Sequence, residues 1–137
     1  MDTMSPKERS ERMSRIRHKN TMPEMVVRRL VHQMGYRYRL HGKDLPGKPD
    51  LVFRSLKKAI FVHGCFWHRH KGCALCRWPK SNLDFWKPKL QANRKRDLVN
   101  QRRLEKSGWS CLVIWECGLK DRQRLAKLVA EFLEDTG

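Results

Sequence analysis

Apolar residues recur along this 137-residue chain with two different spacings. Val26, Val27, Leu30, Val31 and Met34 repeat at the interval of a helix face. Thr21-Met22-Pro23-Glu24 precedes them as a capping box with an early proline, and Gly35 follows as a stop signal. Residues 36–40 (Tyr-Arg-Tyr-Arg-Leu) alternate as a half-buried strand, and residues 41–49, with two glycines and two prolines, read as a loop. Leu51-Val52-Phe53 and Ala59-Ile60-Phe61-Val62 are short apolar runs on either side of a turn at 54–57, which predicts a hairpin. Residues 63–81 have no regular period. A long basic helix is expected over 82–106, ending at Gly108. Residues 109–115 form a nearly continuous apolar run, as in a strand covered on both faces. Asp121 then caps a last helix, with Leu125, Leu128, Val129 and Phe132 expected on its inner side.

Helix, strand, hairpin, irregular loop, long helix, buried strand, helix is the order of an α/β domain, a central mixed sheet flanked by helices. The length suits one such core, over residues 21–137. Ser5-Pro6-Lys7-Glu8 opens a further helix over 6–17, strongly basic and poor in apolar positions. Residues 1–20 therefore read as a basic arm, either a frayed, solvated tail or a segment that orders on a duplex.

Charge narrows the partner. Thirty-one Lys and Arg against 14 Asp and Glu give a net charge of +17. A typical small domain carries about 2–8, so the excess points to a polyanion, with nucleic acid well ahead of a membrane surface. No apolar run reaches the ~18–20 residues that span a bilayer, and the charged N-terminus has no signal-peptide pattern; the expected compartment is the cytoplasm. Five cysteines, an odd number, argue against a disulfide framework.

Candidate chemistry is concentrated around the hairpin. Pro49-Asp50 stands at the entry of the first hairpin strand, where a carboxylate can hold Mg²⁺. The second strand runs into Val62-His63-Gly64-Cys65-Phe66-Trp67-His68-Arg69-His70, so the hairpin should bring His63 and His68 beside Asp50, and imidazole titrates near neutral pH. Cys65-x₄-His70-x₂-Cys73 supplies three ligands of the kind zinc takes in a tetrahedral structural site. The fourth is Cys76 or Cys117; spacing alone favours Cys76. Cys111, inside the apolar strand, reads as core.

LPGKPDLVF, FVHGCFWHRH, NRKRD and GWSCLVIWEC together resemble the very-short-patch repair (Vsr) endonucleases over nearly the whole chain, from about Ser10 to Leu133. The resemblance implies a restriction-endonuclease-like core, with Phe61-Val62-His63 where that fold usually has acid-x-lysine. It implies Asp50 and the Val62 carbonyl as Mg²⁺ ligands, and Glu24 and Asp97 holding metal-bound waters. His68 would transfer a proton at the scissile phosphate, with His63 nearby. The zinc set becomes Cys65, His70, Cys73 and Cys117, and Phe66, Trp67 and Trp86 become wedges between base pairs. The implied reaction is a single-strand nick 5′ of the thymine in a T:G mismatch of double-stranded DNA, by a monomer whose product passes to other repair proteins. Two rivals stand beside it: a restriction-type endonuclease of the same fold cutting matched DNA, and a zinc-stabilised DNA-binding module without activity.

Overall fold

The computed structural model describes residues 21–73 and 75–135. The helix expected over 6–17, and with it the basic arm, lies outside the described residues. In chain order the elements are α1 (Met22–Gln33), β1 (Arg39–Leu40), β2 (Leu51–Phe53), β3 (Lys58–His63), α2 (Leu83–Lys106), β4 (Ser110–Trp115) and α3 (Arg122–Glu134), with short 3₁₀ turns after β2 and β4. No helix among the described residues is long and apolar enough to cross a membrane.

The sheet runs β1-β2-β3-β4. The first two pairings are antiparallel, with Arg39 opposite Val52 and Leu51 opposite Ile60. β4 lies parallel to β3, with Lys58 opposite Ser110 and His63 opposite Trp115. A parallel partner requires a crossover, and the irregular loop plus α2 supply it. Lys57 adopts a left-handed conformation (φ 54°) at the tight turn that sends the chain back into β3.

Side chains alternate across a sheet. Leu51, Phe53, Ile60 and Ile114 face α1 and α3, forming one core with Val27, Val31, Leu125, Val129 and Leu133. The opposite parity, including Val52, Ala59 and Phe61, is also buried, and Trp86, Leu90 and Leu104 of α2 supply buried residues of the second helical layer. α1 begins at Thr21, whose Oγ accepts from Glu24 N–H at 3.3 Å; α3 begins at Asp121, which accepts from Arg124 N–H at 3.1 Å. α3 ends without a glycine. The ammonium of Lys58, 8% exposed, closes it by donating to the carbonyls of Phe132, Leu133 and Asp135.

Three expectations are corrected. Leu128 is 42% exposed, because the buried stripe of α3 runs through Leu125, Val129 and Leu133, and Leu128 lies about a quarter-turn off it. Of residues 36–40 only Arg39 and Leu40 pair as a strand; Tyr38 instead donates to Arg28 O at 3.1 Å and meets Phe53 edge-on. β4 is mostly half-buried, with Ile114 alone fully enclosed, because it is the edge of the described sheet. Cys111 is accordingly half-buried too.

Candidate active site and metal cluster

Three groups of side chains lie at one end of the sheet, where β2 begins and the parallel strands β3 and β4 end; among the described residues, no direct contact joins Asp50 to His63 or His68. The first is a pair of carboxylates. Asp50 N–H donates to Ile60 O, and Val62 N–H donates to Asp50 Oδ2 at 2.7 Å. Alternate residues of a strand turn their backbone groups to the same edge, so the Val62 carbonyl shares this edge with the Asp50 carboxylate. Glu24, from the first turn of α1, is 1% exposed and also meets Asp50. Burial pushes the Asp50 carboxyl up to about 8; the Val62 N–H opposes this, and the bond to Glu24 and its charge add to it. Glu24 Oε2 in turn meets His41 Nε2 at 3.0 Å and Arg28 at 3.3 Å.

The second group is His63, His68 and Asp97, whose ligating atoms all lie within 4.8 Å of one another. The two imidazoles stack with centroids 3.8 Å apart and planes 6° from parallel. His68 Nδ1 lies 2.5 Å from Asp97 Oδ2, on the middle of α2. His63 is 4% exposed, and its Nδ1 is a buried polar atom without a hydrogen-bond partner among the described residues. Burial and the neighbouring His68 lower its pKa to about 4, against the pull of Asp97. It is therefore neutral at pH 7 and resists protonation, with a ring nitrogen left as a hydrogen-bond acceptor or metal ligand.

The third group is a cluster of soft ligands. Sγ of Cys65, Cys73 and Cys117 and a ring nitrogen of His70 lie within 4.8 Å of one another. His70 Nδ1 is 3.6 Å from Cys65 Sγ and 3.4 Å from Cys117 Sγ. The parallel register explains the membership: His63 sits opposite Trp115, so Cys65 and Cys117, each two residues further, leave the sheet together. Cys76, favoured by spacing alone, is not in this cluster. Burial pushes the Cys65 thiol up to about 12. Trp115 joins the second and third groups: His70 stacks on it at 4.2 Å, and His63 meets it edge-on at 5.2 Å.

An aromatic chain flanks the site. Phe66, Trp67, Trp86 and Phe85 contact in turn, with centroids 5.2, 5.9 and 5.0 Å apart. Phe66 and Trp67 are half-buried, Trp86 is 6% exposed and Phe85 is 53% exposed. Sequence reasoning passed over His41, the partner of Glu24, and Glu116, which accepts from Cys65 N–H at 3.3 Å. His41 was read only as loop; the signal for it is the buried Glu24, since a carboxylate out of water needs a donor.

Comparison with known proteins gives this site a context. The chain is 49% identical over 133 residues to the Type II nicking enzyme V.XorIIP of Xanthomonas oryzae pv. oryzae, covering 97% of each chain. It is 43% identical over 134 residues to the Type II nicking enzyme V.NmeAIP of Neisseria meningitidis serogroup A, covering 95% of each. It is 37% identical over 128 residues to the DNA mismatch endonuclease Vsr of Escherichia coli K12, covering 93% of this chain and 81% of that one. A basic α/β chain with acid and imidazole groups at one end of the sheet, and with these relatives, falls in the class of DNA endonucleases. The family model described as "DNA mismatch endonuclease Vsr" matches residues 1–75, and the chain belongs to that family.

Proposed function

We propose that this protein nicks one strand of duplex DNA on the 5′ side of the thymine in a T:G mismatch, the lesion left when 5-methylcytosine deaminates, and so opens a short repair patch. The observation that carries the reading is the Asp50 carboxylate resting on Val62 N–H at 2.7 Å, one residue before the stacked His63 and His68. Restriction-type cutting of matched DNA is the alternative outcome of the test below.

Mg²⁺ fits the residues present: the Asp50 carboxyl in contact with the buried Glu24, a carbonyl on the same edge and an imidazole nitrogen of His63 without a hydrogen-bond partner among the described residues offer hard oxygen and nitrogen donors. Asp50 and the Val62 carbonyl would hold it directly, with Glu24 and Asp97 on its waters. When bound, the ion supplies charge stabilisation at the phosphate and lowers the pKa of a water. Asp97 fixes the His68 tautomer with the proton on Nδ1, which leaves Nε2 as the acceptor for a proton at the scissile phosphate. His63, neutral and stacked on His68, keeps that ring in plane. Val62 N–H and Glu24 orient the Asp50 carboxylate.

Zn²⁺ fits Cys65, His70, Cys73 and Cys117, a closed four-ligand set of structural type. Such a site would pin the loop that carries Phe66, Trp67 and His68. Phe66 and Trp67, with Trp86 behind them, would wedge at the mismatch. Unstacking a base step costs a few kcal/mol, less at a mispair, and aromatic stacking returns about 1–3 kcal/mol per base. The twelve Lys and Arg between residues 68 and 106, with the basic arm at 1–20, would hold the phosphates of the flanking duplex. The protein would act as a monomer in the cytoplasm and pass its nicked product to other repair proteins.

The test is a nicking assay on matched and T:G duplexes, with and without Mg²⁺. Cleavage only of the mismatched strand, only with the ion, is expected. Equal cutting of matched DNA overturns the mismatch reading, and cutting in chelator overturns the metal site.

A further inference from the structure

A groove of about 560 Å³ lies between the 69–78 loop and α2, away from the Asp97 face of that helix. Arg69, Lys71, Trp78, Arg94, Lys95 and Leu98 line it, and none of its lining residues is acidic. Arg94, Lys95 and Leu98 form a stripe centred roughly 110° round α2 from Asp97, at 100° per residue. Trp78 is 41% exposed, an unusual place for an indole in a cationic groove. Under it, Arg69 is 6% exposed and stacks its guanidinium on the ring at 3.9 Å. The same guanidinium donates to Phe66 O and Arg77 O, which fixes the loop around the indole. Arg69 holds a left-handed backbone (φ 55°), a conformation that costs a side-chain-bearing residue about 1 kcal/mol or more. That turn lets His68 meet Asp97 while Arg69 reaches Trp78.

We propose that this groove binds a segment of single-stranded DNA, with an unpaired base stacked on Trp78 and its flanking phosphates on Lys71, Arg94 and Lys95. The cations select a polyanion. The indole selects an unpaired strand, because the faces of bases within a duplex are already covered by their neighbours, whereas a free base stacks on any exposed aromatic. Arg69 holds the indole from one side, and Lys87, whose Nζ lies 5.8 Å from the ring centroid, adds a further cation for a phosphate beside the stacked base. An acidic peptide would satisfy the cations and leave the indole unused. The groove borders the metal cluster at His70, but Asp50, Glu24, His63, His68 and Asp97 do not line it, so the inference stands whether or not the nicking reaction is as proposed.

The test measures fluorescence anisotropy of a labelled oligothymidylate at ~0.15 M salt, where distant surface charge is screened. Parent protein is compared with Trp78→Ala, Trp78→Phe, the triple variant Lys71→Ala/Arg94→Ala/Lys95→Ala, and a control that removes three exposed charges elsewhere, Arg122→Ala/Arg124→Ala/Lys127→Ala. Trp78→Ala should weaken binding about 5- to 100-fold, the equivalent of one lost base stack, and Trp78→Phe should keep most of it. The groove triple variant should lose more than the control. Asp50→Ala should lose nicking and keep oligothymidylate binding. The proposal is overturned if the two triple variants fall equally while Trp78→Ala binds as the parent, or if polyglutamate competes as well as the oligothymidylate; the latter would make the groove a site for an acidic protein.

Discussion

The centroids of the His63 and His68 rings lie 3.8 Å apart, face to face, and among the described residues only the outer ring is hydrogen-bonded to a carboxylate, that of Asp97. His63 is buried with a pKa near 4, while His68 is partly exposed and bonded to Asp97. In the proposed reaction this asymmetry favours His68 for proton transfer and His63 for support. His68→Ala should lower single-turnover nicking of a T:G duplex by about 10²–10⁴-fold, the usual worth of a positioned acid–base group. Asp97→Asn should lower it by about tenfold or more, because the amide no longer fixes the tautomer. A His68→Ala enzyme that nicks at the parent's rate would remove the histidine from the chemistry.

Asp50 carries the opposite burden. Its carboxyl is pushed from an ordinary 3.8 up to about 8. A raised folded-state pKa means that the contribution to stability is fully present below the unfolded value and is lost as pH rises through the folded one. In chelator, Asp50 therefore costs the protein stability progressively between about pH 4 and pH 8. His63, lowered to about 4, acts in the other sense, losing its contribution as pH falls from 6.5 towards 4. Asp50→Asn isolates the first effect. Its melting temperature should match the parent's near pH 4 and exceed it by roughly 5 °C or more at pH 8, since 1 kcal/mol is about 2–8 °C at this size. Thermal scans across that range check it; a parent at least as stable as the variant at pH 8 would contradict the burial of the carboxylate.

Much of this arrangement is legible before any coordinates, and the reason is local. Asp50 and His63 belong to the two arms of one hairpin, and an antiparallel pair joined by a short turn has few registers to choose from. The caps Thr21 and Asp121 are likewise written in three or four consecutive residues. What depends on distant pairing is not legible in this way. Cys117 reaches Cys65 only because β4 lies parallel to β3 in one register, and spacing alone pointed to Cys76. His41 is tied to Glu24 across 17 residues, and Trp78 acquires its meaning from Arg69 beneath it and α2 opposite. The inward place given to Leu128 failed because several leucines compete for one stripe and only packing decides between them.

The parallel register makes its own prediction about zinc. Cys117→Ser removes one of four gathered ligands, whereas Cys76→Ser leaves all four. Protein purified with each substitution should contain well below one zinc per chain for Cys117→Ser and about one for Cys76→Ser, by elemental analysis. Because structural zinc is worth ~10–16 kcal/mol in small peptides, the Cys117 variant should also lose order in the 63–81 loop and become a protease target there. Full zinc in Cys117→Ser with loss in Cys76→Ser would reverse the assignment.

Lys58 offers a test of the fold that leaves the site untouched. It begins β3, on the far end of that strand from His63, and its ammonium takes the last carbonyls of α3 while its stem lies by the Phe132 ring, 5.4 Å from the nitrogen to the centroid. No glycine ends α3, so this lysine does the work of a C-terminal cap and meets the negative end of the helix dipole. Lys58→Met keeps the apolar stem and leaves buried carbonyls without a donor. An unsatisfied buried polar group costs about 1–3 kcal/mol, and bonds to a charged donor lie at the upper end. The variant should lose about 2–3 kcal/mol in urea unfolding, with the midpoint moved and the slope unchanged. Folded Lys58→Met should nick at the parent's rate, since no catalytic candidate touches this end of the sheet. Unchanged stability would mean that α3 closes on water instead.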